Sequence, residues 1–203
     1  MIERSAMAVS QSNEELVSQH LDALAVAARE AVSAAPVVYE WGHRLADVFA
    51  AGGKLLACGN GGSAAEAQHL TGELLGRFRR ERRPLPAIAL TADSSAVTAI
   101  VNDYGAEELF ARQMHAYGRR GDVLVALSTS GTSPNVIAAA KAGLDLGVSV
   151  WALTGPAPNP LAALSDSAIA VDAPTVATVQ EIHLCLVHAL CIALDEALQV
   201  PEW

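Results

Sequence analysis

Short apolar runs alternate with longer amphipathic stretches from Lys54 onwards. The runs are almost continuously apolar, which is typical of strands that are buried on both faces of a sheet. Predicted strands cover 54–58, 86–91, 122–127, 148–154 and 168–171. Because helical patterns separate these strands, we predict an α/β fold, a three-layer sandwich in which helices flank a mostly parallel five-stranded sheet.

Two amphipathic helices precede the first strand. Residues 1–9 are expected to form a loose end, after which Ser12 has capping-box spacing to Glu15 and begins a helix. Pro36 interrupts the pattern, and a second helix follows, ended by two glycines. Because these helices have apolar faces but no sheet of their own, we expect them to pack on the core or on a partner subunit.

The composition supports a compact protein. Of 203 residues, 52% are hydrophobic and 17% are charged, which excludes a disordered chain. The length predicts a single domain over 1–203, with a helical extension at 1–52 and the sheet core and terminal helix at 53–198. Aromatic residues make up only 4%, so the core must consist of small aliphatic side chains that allow close contacts between helices.

The net charge of −9 excludes a general nucleic-acid binder, because such affinity depends on neutralising phosphates. Five of the 13 basic residues nevertheless fall within 77–83. This run is either a solvated turn or a local attraction for an anionic substrate. Arg77 is the best candidate for contacting such a substrate, because its spacing continues the helix face of Glu73.

Cysteine usage and hydropathy predict a cytoplasmic protein. Cys58, Cys185 and Cys191 lie in apolar surroundings without CxxC spacing, which favours small core residues in a reducing compartment. No secretory signal is recognised at the start of the chain. The longest apolar stretch, 184–194, is too short to span a membrane and contains His188, so no membrane association is expected.

A serine-rich loop, Ser128–Ser133, follows one buried strand and opens a helix. Backbone N–H groups, the helix dipole and the hydroxyls of Ser128, Thr129, Ser130 and Ser133 would face an anion there. The loop has no Walker lysine, so a phosphate monoester is a better ligand than a nucleoside triphosphate with magnesium. The alternative is a Ser-rich turn with a helix cap. A second loop, 59–63, has the same placement and brings Asn60 and backbone amides towards a sugar.

Two helices carry further candidate chemistry. His69 and Glu73 are four residues apart, and this spacing suits a metal or a general base, although an exposed polar stripe has the same pattern. On the terminal helix, Gln180 and His188 are about 80° apart around the axis, so both can border one site. His188 in its apolar run is either a core residue or a functional one. The other histidines, His20, His43 and His115, are interpreted as surface residues.

Together these pieces resemble the bacterial phosphoheptose isomerases, which are sugar-isomerase (SIS) domain enzymes acting on sedoheptulose 7-phosphate. The resemblance covers roughly residues 12–198. It rests on segments 54–63, 67–77, 102–105, 128–131 and 180–183. Among SIS-domain proteins, the resemblance is narrowed to the phosphoheptose isomerases by the combination of His69, Glu73, Gln180 and His188.

The resemblance implies a role for each matching residue. The phosphate of a phosphosugar would be held by Ser128, Thr129, Ser130 and Ser133. The sugar would be lined by Asn60, Gly61, Gly62, Glu73, Asn102, Asp103 and Gln180. Glu73 and His188 would be the acid–base pair, with His69, Glu73, Gln180 and His188 also matching a zinc site. A homotetramer with shared active sites is implied as well.

The implied reaction converts sedoheptulose 7-phosphate to D-glycero-D-manno-heptose 7-phosphate through an enediol, with Glu73 as the base at carbon and His188 acting on the oxygens. The chain departs from the family pattern at 177–179, which puts substrate contacts there in doubt, and in a proline-rich turn at 156–160.

Two other functions share part of this pattern. Non-catalytic SIS-domain proteins that bind a replication initiator have similar GlyAsnGly and AlaGlnHis segments, but lack equivalents of Glu73 and His188. Another phosphosugar isomerase or regulator is the second alternative.

Overall fold

The structure, a computed structural model, describes residues 2–200, with side chains from Asn13 onwards. Its strands are β1 Leu55–Cys58, β2 Ala87–Ala89, β3 Val123–Ser128, β4 Ser149–Thr154 and β5 Ser167–Ala170. Its α-helices are α1 Ile2–Ala31, α2 Ala35–Ala50, α3 Gly62–Leu75, α4 Ser94–Tyr104, α5 Glu108–Tyr117, α6 Pro134–Leu146, α7 Pro160–Leu164 and α8 Val176–Ala197. A short 3-10 turn, Val32–Ala34, separates α1 from α2.

The five strands form one sheet in the order β2-β1-β3-β4-β5, and every pairing is parallel. The predicted α/β sandwich is therefore confirmed, with a sheet that is parallel throughout. Parallel strands place all their carboxyl ends at one edge, and that edge is where ligands bind in open α/β folds.

Alternating residues of each strand belong to two separate cores, one on each face of the sheet. Leu55 and Ala57 pack with α2, α3 and α8, whereas Leu56 and Cys58 pack with α5 and α6. Side chains of a strand point to opposite faces in turn, so a continuously apolar strand supplies both cores. This explains why the strands could be recognised as unbroken apolar runs.

Small residues bring α2 and α8 into close contact, as the composition predicts. A Cβ atom added to Gly42 on α2 would lie 2.6 Å from Cβ of Ala193 on α8. Beside this contact, the rings of Trp41 and Trp151 stack with centroids 5.0 Å apart. The larger core therefore concentrates two of the few aromatic residues against its tightest helix–helix contact.

Three local predictions are wrong. Helix α1 begins at Ile2 rather than at Ser12, so residues 2–9 are helical; this segment has no proline or glycine to end a helix. Helix α7 was not predicted, because its five residues are too few to show a period. Cys185 is exposed, whereas Cys58 and Cys191 are buried as expected, and burial raises the pKa of each of these two thiols to about 12.

Helix α8 is long and apolar enough to cross a membrane by length and composition alone. Half of its most apolar window is buried inside the protein, and its neighbours are α1, α2 and α3. Its hydropathy is therefore explained by its position in the larger core.

Candidate active site

The loops after β1 and β3 are joined by a pair of asparagines. The amide of Asn60 donates to Oδ1 of Asn135 over 2.9 Å, and the amide of Asn135 donates back to Oδ1 of Asn60 over 2.8 Å. Asn135 lies in the first turn of α6, directly beyond the serine-rich loop. The sequence analysis missed this residue, although a polar side chain in the first turn after such a loop is a usable signal.

The hydroxyls of the serine-rich loop are gathered at the carboxyl end of β3. Oγ of Ser128 lies 3.0 Å from Oγ of Ser133 and 3.5 Å from Oγ of Ser130. Oγ of Ser130 in turn accepts from the hydroxyl of Thr132. Ser133 is the N-cap residue of α6 but makes no side-chain cap bond, so the first N–H groups of α6 are not satisfied by it. Such a loop can offer several donors to one anion.

A very close approach fixes the far side of this loop. Gly131 has φ +63°, and a Cβ there would lie 2.0 Å from Oδ1 of Asn159. Asn159 caps α7 by accepting from N–H of Ala162, and its amide donates to Oγ1 of Thr154. The proline-rich turn therefore supports the serine-rich loop, and Asn159 before Pro160 carries a recognisable cap signature that was not used in the prediction.

Helices α3 and α8 bring three of the predicted residues together. Nε2 of His69 lies 2.9 Å from Nε2 of His188 and 3.4 Å from Oε1 of Glu73. One donor atom from each of these three residues lies within 4.8 Å of the others. The ring of Phe78 covers His188, with centroids 5.5 Å apart. His188 is thus half-buried, and its ring nitrogen lies against that of His69.

This cluster is a possible metal site. Zinc bonds of about 2.0–2.1 Å in a tetrahedron place neighbouring donor atoms roughly 3.3 Å apart. The separations of 2.9 Å between the two imidazole nitrogens and 3.4 Å between His69 and Glu73 are close to that value, and imidazole nitrogen with carboxylate oxygen is a donor set that zinc accepts. The residues present therefore fit such an ion.

Gln180 lies at the start of α8, against the start of α3. A Cβ on Gly62 would fall 2.5 Å from Nε2 of Gln180, so the amide of Gln180 rests directly on the glycine backbone. Gly62 follows Asn60 and Gly61 in the loop after β1. This contact links the glycine loop to the helix that carries His188.

Asn102 and Asp103 are exposed in the last turn of α4, where the amide of Asn102 donates to the carboxylate of Asp103 over 2.7 Å. In the part of the chain that the structure describes, no hydrogen bond joins either residue to the serine-rich loop or to the α3–α8 cluster. Among the described residues, the structure therefore does not connect them by hydrogen bonds to the other predicted site residues.

The arginine run is arranged differently from the prediction. Helix α3 ends at Leu75, so Arg77 lies beyond the helix and does not continue the face of Glu73. Arg82 has a structural role in the run, because its side chain is only 4% exposed, pairs with Asp195 on α8 over 2.8 Å, and donates to the backbone carbonyls of Glu73 and Leu74. These bonds satisfy the end of α3 and tie it to α8.

A buried acid and a buried histidine lie behind the cluster, and the sequence analysis gave neither a role. Oε2 of Glu66 is 3.8 Å from Nδ1 of His183, and Nε2 of His183 is 3.0 Å from the carbonyl oxygen of Thr154. Burial raises the pKa of Glu66 to about 7 and lowers the pKa of His183 to about 4, the bond to Thr154 opposing the second shift. Burial therefore favours the neutral form of each group, and both are neutral between about pH 4 and pH 7.

One of the three predicted surface histidines has a partner on another helix. His20 is not simply a surface residue, since its Nε2 lies 2.9 Å from Oε1 of Glu181 and joins α1 to α8, whereas His43 and His115 are exposed as predicted.

Within the segment that departs from the family pattern, Thr178 and Val179 are buried and only Ala177 is exposed. Any lost substrate contact there therefore concerns position 177 alone.

Comparisons with known proteins identify relatives of this chain. The sequence profile of the SIS domain matches residues 8–155. The phosphoheptose isomerase of Streptomyces coelicolor is 59% identical over 183 residues, which cover 90% of this chain and 79% of that protein.

Solved structures show the same similarity. A phosphoheptose isomerase from Neisseria gonorrhoeae is 42% identical, with a TM-score of 0.83, and the match covers 90% of this chain and 98% of that one. A phosphoheptose isomerase from Francisella tularensis is 36% identical, with a TM-score of 0.86 and coverage of 91% and 98%.

Proposed function

The chain belongs to the SIS-domain family and to its phosphoheptose isomerases, and from this we propose that it interconverts sedoheptulose 7-phosphate and D-glycero-D-manno-heptose 7-phosphate. It is an aldose–ketose isomerase. Such a reaction moves one proton between neighbouring carbons and one between their oxygens, through an enediol. The site must therefore hold a phosphate, supply a base at carbon and manage the oxygens.

The phosphate is assigned to the serine-rich loop. Ser128, Ser130 and Ser133 present neighbouring hydroxyls, Thr129 lies between them, and the N-terminus of α6 follows. The helix dipole favours the dianion there. The paired Asn60 and Asn135 connect this loop to the glycine loop, so the sugar would extend past Asn60, Gly61 and Gly62 towards Gln180.

The acid–base chemistry is assigned to Glu73 and His188. Glu73 removes the proton from the carbon beside the carbonyl and returns it to the neighbouring carbon. His188 gives a proton to the carbonyl oxygen and takes one from the adjacent hydroxyl, and it also assists ring opening. Their proximity on two helices that are far apart in the sequence is the observation that carries the proposal.

Proton NMR of sedoheptulose 7-phosphate incubated with the purified protein tests this function. Growth of aldoheptose anomeric signals is the expected result. A silent spectrum from folded protein, with and without added zinc, would overturn it and favour the initiator-binding alternative, which a pull-down with an initiator protein then examines.

Zinc is the metal that His69, Glu73, Gln180 and His188 would hold. Nitrogen and carboxylate donors converge from α3 and α8, and Gln180 lies at the start of α8. A bound zinc ion polarises oxygen atoms as a Lewis acid. His69 would then serve the ion, while Glu73 and His188 also face the substrate.

A homotetramer with shared active sites is proposed for the assembly. Helix α1 exposes the apolar residues Leu16, Val17, Leu21 and Val26, which supports burial against another copy of the chain. Asn102 and Asp103 are exposed, and among the described residues no hydrogen bond joins them to the other site residues, so we propose that they complete a neighbouring subunit's site. Light scattering behind a sizing column measures the assembly, and a monomer would contradict the proposal. We further propose a cytoplasmic protein with one domain over 1–203, its helical extension at 1–52 and its sheet core at 53–198.

A further inference from the structure

A second pair of polar side chains joins α3 to α8 beneath the His69–His188 contact. Glu66 lies one turn before His69 on α3, and His183 lies between Gln180 and His188 on α8. Glu66 is 8% exposed and His183 is fully buried. Oε2 of Glu66 and Nδ1 of His183 are 3.8 Å apart, and neither atom has a hydrogen-bond partner among the described residues. At 3.8 Å the two atoms stand just beyond hydrogen-bond distance, so a small closing movement would give each atom a partner.

The bond to Thr154 fixes how His183 is protonated. A backbone carbonyl only accepts, so Nε2 of His183, 3.0 Å from that oxygen, carries the hydrogen. In the neutral ring Nδ1 is then a lone pair that faces the carboxyl group of Glu66. Two acceptors cannot face each other in a buried space without cost, so one proton belongs between them. Burial raises the pKa of Glu66 to about 7 and lowers that of His183 to about 4, so below about pH 7 that proton lies on Glu66.

Three contacts follow the same order along both helices. Gly62 meets Gln180, Glu66 faces His183, and His69 meets His188. Helices α3 and α8 therefore run side by side in the same direction, and the middle contact is the most buried. His183 is in turn hydrogen-bonded to Thr154, the last residue of β4. The contact between Glu66 and His183 therefore connects α3 to the sheet as well as to α8.

We propose that Glu66 is a positioning residue: its protonated carboxyl group donates to Nδ1 of His183 and sets the separation of α3 and α8, and thereby the placement of Glu73 against His188. The inference rests on the acid–base roles proposed for those two residues. A misplacement on the order of 1 Å can reduce a rate about 100-fold, so a contact that sets the distance between two catalytic helices has a measurable effect.

Two substitutions separate positioning from packing. Glu66→Gln keeps a donor of the same shape and is expected to retain kcat to within a factor of about three. Glu66→Leu fills a similar volume without a donor and is expected to lower kcat roughly 10–100-fold with little change in KM. The matched control is Thr71→Val, which removes a buried hydroxyl from the same helix that bonds only to the carbonyl of Gln68 within α3.

Zinc affinity gives a readout that does not need turnover. Because the candidate ligands come from both helices, Glu66→Leu should weaken zinc binding roughly 10–100-fold, as the loss of a supporting contact does, while Thr71→Val should not. If the wild-type protein is inactive, the proposed function has failed, but this comparison still decides the role of Glu66.

The tautomer of His183 can be measured directly by ¹⁵N NMR of histidine-labelled wild-type protein. This test does not depend on whether any variant folds. The expected spectrum shows His183 protonated at Nε2, with Nδ1 accepting a hydrogen bond. A ring protonated at Nδ1 alone would overturn the proposal. So would a folded Glu66→Leu protein with wild-type kcat and zinc affinity, or a folded Glu66→Gln protein that is as impaired as the leucine variant.

Discussion

Nε2 of His69 and Nε2 of His188 lie 2.9 Å apart, although 119 residues separate the two histidines in the chain. Each comes from a different helix, and Oε1 of Glu73 lies 3.4 Å from the first of them. Two ring nitrogens at this distance share either a proton or a cation. The close approach of α3 and α8 is therefore the feature on which both the proposed metal site and the proposed acid–base chemistry depend.

The metal site can be tested by removing one imidazole. His69→Ala should weaken zinc binding by more than the roughly 10–100-fold that follows loss of a supporting contact, because a direct ligand is lost. Equilibrium dialysis followed by metal analysis measures the affinity. His115→Ala, on an exposed face of α5, is the control, and equal zinc content in the two variants would contradict the site.

The base can be tested by neutralising Glu73. Glu73→Gln keeps the shape of the side chain but cannot accept the proton from carbon, so kcat should fall about 10²–10⁴-fold. The aldoheptose signals in the proton NMR assay report the rate. Glu81→Gln makes the same charge change at an exposed position and should leave the rate unchanged. Near wild-type turnover in folded Glu73→Gln would exclude Glu73 as the base.

The close approach of Gly131 to Asn159 predicts that substitution of Gly131 lowers the free energy of unfolding more than substitution of an ordinary glycine with positive φ. Gly131→Ala meets both a positive φ and the side chain of Asn159 at 2.0 Å, whereas Gly52→Ala has φ +83° and nothing within 4 Å. Gly52→Ala should lose about 1–2 kcal/mol of unfolding free energy from φ alone. Gly131→Ala should lose clearly more, as measured by urea unfolding. Equal losses would mean that Asn159 moves aside freely.

Removal of the ion pair between Arg82 and Asp195 is expected to lower the free energy of unfolding strongly. Arg82→Met leaves Asp195 buried without its partner, and breaking such a pair costs about 3–5 kcal/mol. Arg83→Met, at an exposed position in the same run, should change the unfolding free energy by about 0.5 kcal/mol or less. Adding Asp195→Leu to Arg82→Met should restore part of the loss, since no charge is then left unpaired. A double variant no more stable than Arg82→Met would count against the pair.

The pairing of Glu66 with His183 predicts how the free energy of unfolding depends on pH. Their contributions cancel in the intact pair, so a dependence appears only when one of the two groups is removed. Between about pH 4.5 and 6.5 the folded protein holds one proton on this pair, on Glu66, because the pKa of Glu66 is about 7 and the pKa of His183 is about 4. The unfolded chain also holds one, on His183, because the ordinary pKa values are 4.5 and 6.5. The pair therefore adds no slope to the stability in this range.

In Glu66→Gln only His183 titrates, and the unfolded chain binds its proton more tightly than the folded protein does. The unfolding free energy should then rise with pH between about 4 and 6.5, by at most about 1.4 kcal/mol per pH unit. Urea unfolding of both proteins across this range measures the difference between their slopes. Parallel curves would show that the two groups do not compensate each other.

Local spacing in the sequence was enough to find the strands and the pairing of His69 with Glu73. Apolar runs reveal strands because both faces of this sheet are covered, and residues four apart on a helix share a face whatever packs against it. The approach of His188 to His69 is of another kind, since no spacing within either helix indicates which helix lies opposite. Only the family resemblance brought these two residues together.

Burial and long-range pairing explain what the sequence could not provide. Glu66 is flanked by alanines and Glu81 by arginines, and neither context shows that Glu66 is buried against His183 while Glu81 is exposed. Arg82 resembles its neighbours in the arginine run, and only its contact with Asp195, 113 residues away, makes it structural. Such differences arise from tertiary packing, which single-residue patterns do not record.

The two bonds between Asn60 and Asn135 also have a consequence for how the protein ages. Asn60 is exposed and precedes Gly61, the sequence context in which asparagine side chains lose ammonia most readily. The aspartate formed by deamidation accepts but does not donate, so it would break one of the two bonds. It would also place a negative charge beside the loop assigned to a phosphate. Storage at alkaline pH would thus erode substrate affinity through a single chemical lesion, while the fold stayed intact.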